Sequence, residues 1–333
     1  MKAITIKDIA RELGISVSTV SRALQNHPDI SEQTKQMVRE CARRLNYKPN
    51  MMASNLRTCR NNTIGVVLPE VNHHFFGSVL DGIEQTANEA GYKILICQTG
   101  ENVEKEAQSV QALIGSRVAG MLVGVSKQTV NLQHLQDVIN SGIPLVLYDR
   151  PCPSLKCDQV LSDDYMGAYT AVEYLIQTGC KRIAYFSSPM QLEVARRRYQ
   201  GWRDALMRYG LPIDENSIVT CDTRAQAIID TPPTLQRADH PDAIFCVNDN
   251  CAAGVLYAAQ ILGVQIPNEL AICGFSDDPL CRTTSPMLTT VQQHGVEIGR
   301  RAMQRLLKRL DGDERISQTE MVPTDLVVRE TTK

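Results

Sequence analysis

What this 333-residue chain lacks narrows its function first. It has no run of roughly 18 apolar residues, the length a helix needs to cross a bilayer, so no membrane partner is expected. The opening MKAITIKDIARELG has no uninterrupted apolar segment and no small-residue cleavage site. No secretory leader is therefore expected, and the protein should stay in the cytoplasm. No G-x-G-x-x-G, G-x-x-x-x-G-K-[ST] or G-x-S-x-G occurs, which removes the common nucleotide-binding and hydrolase signatures. Eleven cysteines, an odd number, form no C-x-x-C pair and no Cys/His ligand spacing. The closest pairs are Cys152…Cys157 and Cys246…Cys251, and reduced cysteines acting as small hydrophobes are expected, with no metal and no cofactor.

The length suggests about two domains, and 43% hydrophobic with 22% charged residues is ordinary for a soluble globular chain. The net charge of −2 hides an asymmetry. Residues 1–60 hold eleven Lys/Arg against five Asp/Glu, a balance of +6, and the remainder carries −8. A basic leader on an acidic body suits a leader that meets a polyanion.

The leader reads as a three-helix module. Thr5 with Asp8 three residues on forms a capping box, and Ile6, Ile9, Ala10 and Leu13 recur as one apolar face. Gly14 follows, where a left-handed residue ends a helix. Ser16 can cap a second helix, Val17 to about Gln25, after a turn of about three residues: the helix-turn-helix spacing. Val20, Ala23 and Leu24 share one arc of that helix, whereas Ser18, Ser21 and Arg22 share another and are expected to face away from the core. Short hydroxyls allow close approach to DNA, and an arginine beside them can take a guanine edge bidentately. A third helix, capped by Ser31, turns Val38, Cys41, Ala42 and Leu45 inward and closes at Asn46 and Pro49. Beyond it, Asn50 can cap two turns from Met51 to Arg57. That stretch reads either as a plain linker or as a segment that folds on DNA and wedges Leu56, flanked by Arg57 and Arg60, into the minor groove.

From Thr63 the pattern becomes apolar strand, amphipathic helix, apolar strand. TIGVVLP, YKILICQ, GMLVGV and PLVLY alternate with helices near 76–90, 103–116 and 130–141. RIAYFSS, SIVTCD, AIFCVN and LAICGF alternate with helices near 164–178, 193–209 and 250–262. Short unbroken apolar strands between helices imply parallel sheets covered on both faces. Two sets of about four strands predict two doubly wound lobes with a ligand cleft at the strand carboxyl ends. Polar residues stand there: Asp149, Asn248, Asp249, Ser276 and Asp277, with Arg196, Arg197 and Arg198 opening a helix of the second set. Carboxylates and an arginine in a cleft can hold sugar hydroxyls, although a strand-end Asp or Asn taken singly more often simply caps a helix or turn. Phe75, Phe76, Tyr199 and Trp202 are more often core than ligand platforms.

These residues carry a family pattern. TIKDIARELGISVSTVSRAL with LNYKPNMMASNLRT resembles the lactose-repressor (LacI/GalR) family of bacterial transcription regulators. The likeness continues in order through NTIGVVLPEV, IPLVLYDR, TGCKRIAYF, RRRYQGWRDAL, FCVNDNCAAGVL, GFSDDPL and LVVRETT, essentially the whole chain. The resemblance implies a small all-α helix-turn-helix headpiece over residues 1–48 and a hinge helix and linker over 49–61. It implies an α/β core of two doubly wound parallel-sheet lobes over 62–333, like periplasmic sugar-binding proteins. The lobes are expected at about 62–161 plus 292–320 and about 162–291 plus 321–330. By matching motif position, Val17, Ser18 and Arg22 would read the major groove. Thr5, Ser16, Thr19, Ser21 and Asn26 would hold phosphates, and Ala53 and Leu56, beside Arg57, would enter the minor groove. Phe75, Phe76, Asp149, Arg198, Asn248 and Ser276 or Asp277 would bind the effector. Two departures stand out. His73-His74 replaces the family's usual Asn-Pro, which removes a rigid proline at the pocket edge, and adjacent histidines are no metal site without further ligands. Ser276 stands where many members carry Asp, which removes a hydroxyl-binding carboxylate.

The implied partners are operator DNA, a small-molecule effector of the sugar or sugar-acid class, and a second copy of the chain. The absence of a leucine heptad tail after LVVRETT favours a dimer over a tetramer. A repressor is the primary expectation, with a sugar-sensing activator or a corepressor-dependent regulator as the alternative. An enzyme on the same fold leaves the headpiece unexplained, and an exported sugar-binding protein conflicts with the basic leader.

Overall fold

The computed structural model describes residues 4–47 and 61–333. The chain divides into two compact units at Asn61/Asn62. The first is built from α1 (Ile6–Leu13), α2 (Val17–Leu24) and α3 (Glu32–Arg44). Asp8 reaches back to the N-terminus of α1, where its carboxylate accepts from the Thr5 amide (2.9 Å) and the Thr5 hydroxyl (2.6 Å). Gly14 ends α1 at φ +63°, a conformation glycine adopts without a Cβ penalty. Ser16 and Ser31 cap α2 and α3 by accepting the amides of Thr19 (3.0 Å) and Thr34 (3.3 Å). Ile9, Val20, Ala23, Val38 and Cys41 form the small shared core.

The second unit contains two sheets. One has strand order β11-β5-β4-β3-β1-β2: β1 (Thr63–Leu68), β2 (Lys93–Gln98), β3 (Gly120–Gly124), β4 (Leu145–Tyr148), β5 (Asp158–Ser162) and β11 (Thr319–Val322). The other has order β12-β10-β9-β8-β6-β7: β6 (Ile183–Ser187), β7 (Ile218–Thr220), β8 (Ala243–Cys246), β9 (Ala271–Ser276), β10 (Thr289–Gln292) and β12 (Asp325–Val327). Each sheet thus has six described strands rather than about four. The additional ones (DQVLS, TEMV, TTVQ, DLV) mix polar with apolar residues, so no apolar run marks them. All pairings are parallel except β10 with β12. The chain passes between sheets at Ser162/Asp164, Gln292/Gly295 and Val322/Asp325.

Helices cover the sheets: α4 (His74–Glu89), α5 (Val103–Gly115), α6 (Gln133–Asn140), α7 (Asp164–Gln177), α8 (Glu193–Arg208), α9 (Arg224–Leu235), α10 (Asp249–Ile261) and α11 (Gly295–Leu310). Two were not among the expected helices. α9 contains Pro232 and Pro233, which cannot donate backbone hydrogen bonds; the Thr231 and Thr234 hydroxyls bond back to Ala227 O (2.6 Å) and Asp230 O (2.7 Å). α11 returns to the first lobe and packs backbone to backbone on α4, where a Cβ on Gly299 would stand 2.0 Å from Val79 O. Arg309 near its end grips the buried Asp158 carboxylate at 2.6 and 3.1 Å. Fully buried cysteines (Cys246, Cys251, Cys273, Cys281) pack as small hydrophobes in the second lobe.

Candidate DNA-contact face and effector cleft

In the first unit, the start of α2 carries a cluster of hydroxyls. Ser16 Oγ lies 2.7 Å from Ser18 Oγ and 2.8 Å from Thr19 Oγ1. Thr5, Ser16, Val17, Ser18, Arg22 and Asn26 are exposed and Thr19 is half-buried. Val17 is 40% exposed, an apolar side chain held in solvent next to polar ones. Asn26 sits at φ +60° with its carbonyl oxygen accepting from Arg39 (2.7 Å), which leaves the amide NH2 group turned from that guanidinium.

Ser21 corrects the sequence reading. It is only 5% exposed and belongs to the packed side of α2. Two neighbouring helices flank α2, so its buried arc is wider than the Val20–Ala23–Leu24 arc alone, and a side chain as small as serine fits beneath them. Ala53, Leu56 and Arg57 lie outside the described residues.

The second unit contains a cavity of about 280 Å³ between the two lobes, at the carboxyl ends of both sheets. Phe75 and Phe76 reach it from the first turn of α4 with rings 5.4 Å apart, though both are almost wholly buried and serve as core too. Asp149, directly after β4 at φ +70°, presents a buried carboxyl. Burial pushes its pKa up to about 6, with the Arg150 guanidinium 3.5 Å away opposing the shift. Arg198 lines the cavity but is already engaged. It bonds the buried Asp164 carboxylate (2.8 and 2.7 Å) and Val247 O, and stacks 3.7 Å from the Phe275 ring centre. Asn248 also lines it, and both ends of its amide serve structure. The oxygen caps α10 through the Cys251 amide (2.8 Å), and the nitrogen donates to Asp222 O (2.8 Å).

Of the alternatives Ser276 and Asp277, the cavity takes Ser276 alone. Asp277 turns away, its carboxylate clamped by Arg329 (2.5 Å) and Arg282 (2.9 Å).

Several cavity residues were not foreseen. Lys127 and Asp222, from opposite lobes, form an ion pair across the cleft at 2.7 Å. Arg150 binds Glu101 bidentately (2.7 and 2.8 Å) and Val125 O. Burial raises the Glu101 carboxyl, but Arg150 and Lys127 more than offset it and hold the group below its ordinary value. Burial, reinforced by the Lys127 charge, keeps the His73 imidazole below its ordinary value and hence neutral near pH 7. Gln293, in the crossing from β10 to α11, is 2% exposed and opens on the same cavity. A signal did exist for Glu101, Lys127 and Asp222: all three follow the carboxyl ends of recognised apolar strands.

Residues 5–50 match the model for bacterial regulatory proteins of the lacI family, and residues 172–332 match the periplasmic binding protein-like domain. The HTH-type transcriptional repressor PurR of Vibrio atlanticus (strain LGP32) is 33% identical over 334 residues, covering 99% of this chain and 98% of the relative. The chain belongs to the LacI family. Among solved structures, the lac repressor dimer bound to operator and the anti-inducer ONPF superposes with TM-score 0.89 at 24% identity, over 99% of both chains. The transcriptional regulator CelR–cellobiose complex gives TM-score 0.75 at 25% identity, over 98% of this chain and 99% of that one. This LacI-family chain is a DNA-binding transcriptional repressor and not an enzyme. It combines a helix-turn-helix unit with a two-lobe parallel-sheet core. Among its described residues no helix is long and apolar enough to cross a membrane.

Proposed function

We propose that this regulator acts in the cytoplasm, binds a near-palindromic operator as a homodimer, and is switched by a sugar or sugar derivative in the interlobe cleft. The observation that carries the reading is the pairing, in one chain, of an exposed Val17–Ser18–Arg22 face on a capped helix with a charged cleft bridged by residues of both lobes. In this reading Val17, Ser18 and Arg22 read base edges, while Thr5, Ser16, Thr19 and Asn26 hold phosphates. Asp149, with Ser276 and the Phe75–Phe76 floor, receives the effector. Because three crossings join the lobes, a ligand that changes their mutual orientation reaches the dimer and its DNA-binding units together. The cellobiose-bound CelR relative supports a sugar-like ligand, and the operator-bound lac repressor dimer supports the assembly.

Gel-shift titration against a selected operator tests the DNA face. Arg22→Ala should lose roughly 1–3 kcal/mol of binding and relax base choice at one position per half-site. Ser21→Ala, at the buried position, should bind nearly as wild type, and Leu56→Ala should lose specific affinity while keeping low-salt non-specific binding. Wild-type affinity and selectivity in Arg22→Ala would remove α2 as the recognition helix.

A further inference from the structure

The three crossings that join the lobes involve β5 and β11 at one edge of the first sheet, and β10 and β12 at one edge of the second. Lys127 and Asp222 stand away from those edges. Lys127 follows β3, two strands beyond β5, and Asp222 follows β7, four strands beyond β10. At about 4.8 Å per strand these offsets are roughly 10 and 19 Å. Among the described residues, no other side-chain hydrogen bond or ion pair joins the lobes away from the crossings. A bond far from a hinge opposes its rotation with a long lever, so this pair sits where a single contact restrains the lobes most.

Both of its arms are firmly mounted. On the first lobe, the fully buried Glu106 accepts the Ser126 amide (2.5 Å), and Glu101 accepts the Lys127 amide (2.6 Å). Arg150 donates to Val125 O (2.5 Å), so charged groups hold the backbone of all three residues, the stronger class of hydrogen bond. On the second lobe, the Cys221 amide donates to Ser187 O (2.7 Å) and Asn248 Nδ2 donates to Asp222 O (2.8 Å). Thr223 then caps α9 through the Gln226 amide (3.2 Å). Exposed ion pairs are worth little because two long side chains must be ordered and water screens them. Here the backbones are fixed, Asp222 is short and both groups are partly buried. The pair therefore stands at the upper end of the range for such contacts, about a fivefold bias.

We propose that Lys127 and Asp222 form a latch: the chain's own charges hold the lobes together on the side of the cleft away from the crossings, and breaking the pair lets them swing apart. The inference goes beyond the effector reading and survives its failure, because it concerns only the two lobes of this chain. An effector in the cleft would act on an equilibrium that the latch already biases.

Hydrogen exchange of the full chain, followed by mass spectrometry, tests the proposal. Residues 70–77 and 188–194 contribute to the cleft wall without bonding either partner, so their amides report separation of the lobes rather than loosening of the altered loops. In Lys127→Met and in Asp222→Asn both segments should exchange about fivefold faster, and the double variant should be no faster than either single one. In 1 M salt the native chain should move toward the variants' rates, a comparison that needs no substitution. Lys156→Met removes an exposed charge of the first lobe outside the cleft and should change nothing. Acceleration confined to residues 125–130 and 220–226 overturns the latch, as do rates unmoved by both substitution and salt. A double variant whose effect is the product of the two single ones, or an equal acceleration in Lys156→Met, also overturns it.

Discussion

Replacing Gly299 by alanine tests whether the α4–α11 contact sets the spacing of the first lobe. An added Cβ would meet Val79 O at 2.0 Å, Val79 C at 2.9 Å and Ile83 N at 3.0 Å. All three atoms are backbone, so no rotamer change relieves the clash and the two helices must part by roughly 1 Å. Around this contact Val79, Ile83, Ile298, Ala302 and Met303 are fully buried. A gap of that size forfeits about a quarter to a half of the attraction between facing atoms, and overpacking costs typically about 1–3 kcal/mol. Alanine's better helix propensity returns at most about 1 kcal/mol. A net loss of about 2 kcal/mol is expected, or a fall in Tm of roughly 4–8 °C for a unit of this size. Gly115→Ala is the control. It ends α5 with no atom within 4 Å of the new Cβ, and should be neutral or stabilising by up to about 1 kcal/mol. Thermal unfolding followed by far-ultraviolet circular dichroism measures both. If Gly299→Ala melts with wild type, the backbone contact does not govern the packing and the reasoning fails.

Two further outcomes follow from the cleft's charges. A carboxyl with a folded pKa near 6, above its ordinary 3.8, stays protonated in the fold while the unfolded chain ionises, so its cost to stability grows between about pH 4 and pH 6. Asp149→Asn should accordingly stabilise the unliganded chain by up to about 3 kcal/mol above pH 6 and by little near pH 4; a difference independent of pH would contradict this. Lys127→Met removes the cross-cleft pair, whose members are 34% and 16% exposed. The loss should be about 1 kcal/mol at low salt and smaller at 1 M salt, read as Tm, and an equal loss at both would show that the pair's charge does not matter.

The elements most legible in the sequence depend on neighbours a few residues away. Thr5–Asp8, Gly14, Ser16 and Ser31 set helix ends through bonds spanning three or four residues, and the helix-turn-helix unit follows from them. The strands TIGVVLP, GMLVGV, PLVLY and AIFCVN announce themselves because a strand buried on both faces must be apolar throughout. α11 was equally open to reading, with Ile298, Ala302, Met303 and Leu306 on one face, whereas the prolines of α9 masked a real helix.

Sequence by itself therefore determined the modules: a capped three-helix unit, alternating β and α, and polar residues gathered at strand ends. Tertiary structure decided which of those residues act together. Ser21 went inside because a third helix flanks α2, a fact that no single-helix projection contains. Asp277 was drawn to Arg329, 52 positions away, leaving Ser276 to the cleft. Lys127 met Asp222 across 95 residues, and Ser276 met the buried Gln293 from the next strand end. Caps and periodicities act through the local chain, but hydrogen-bond satisfaction and ion pairing are settled among groups that only the packed lobes bring within 3 Å.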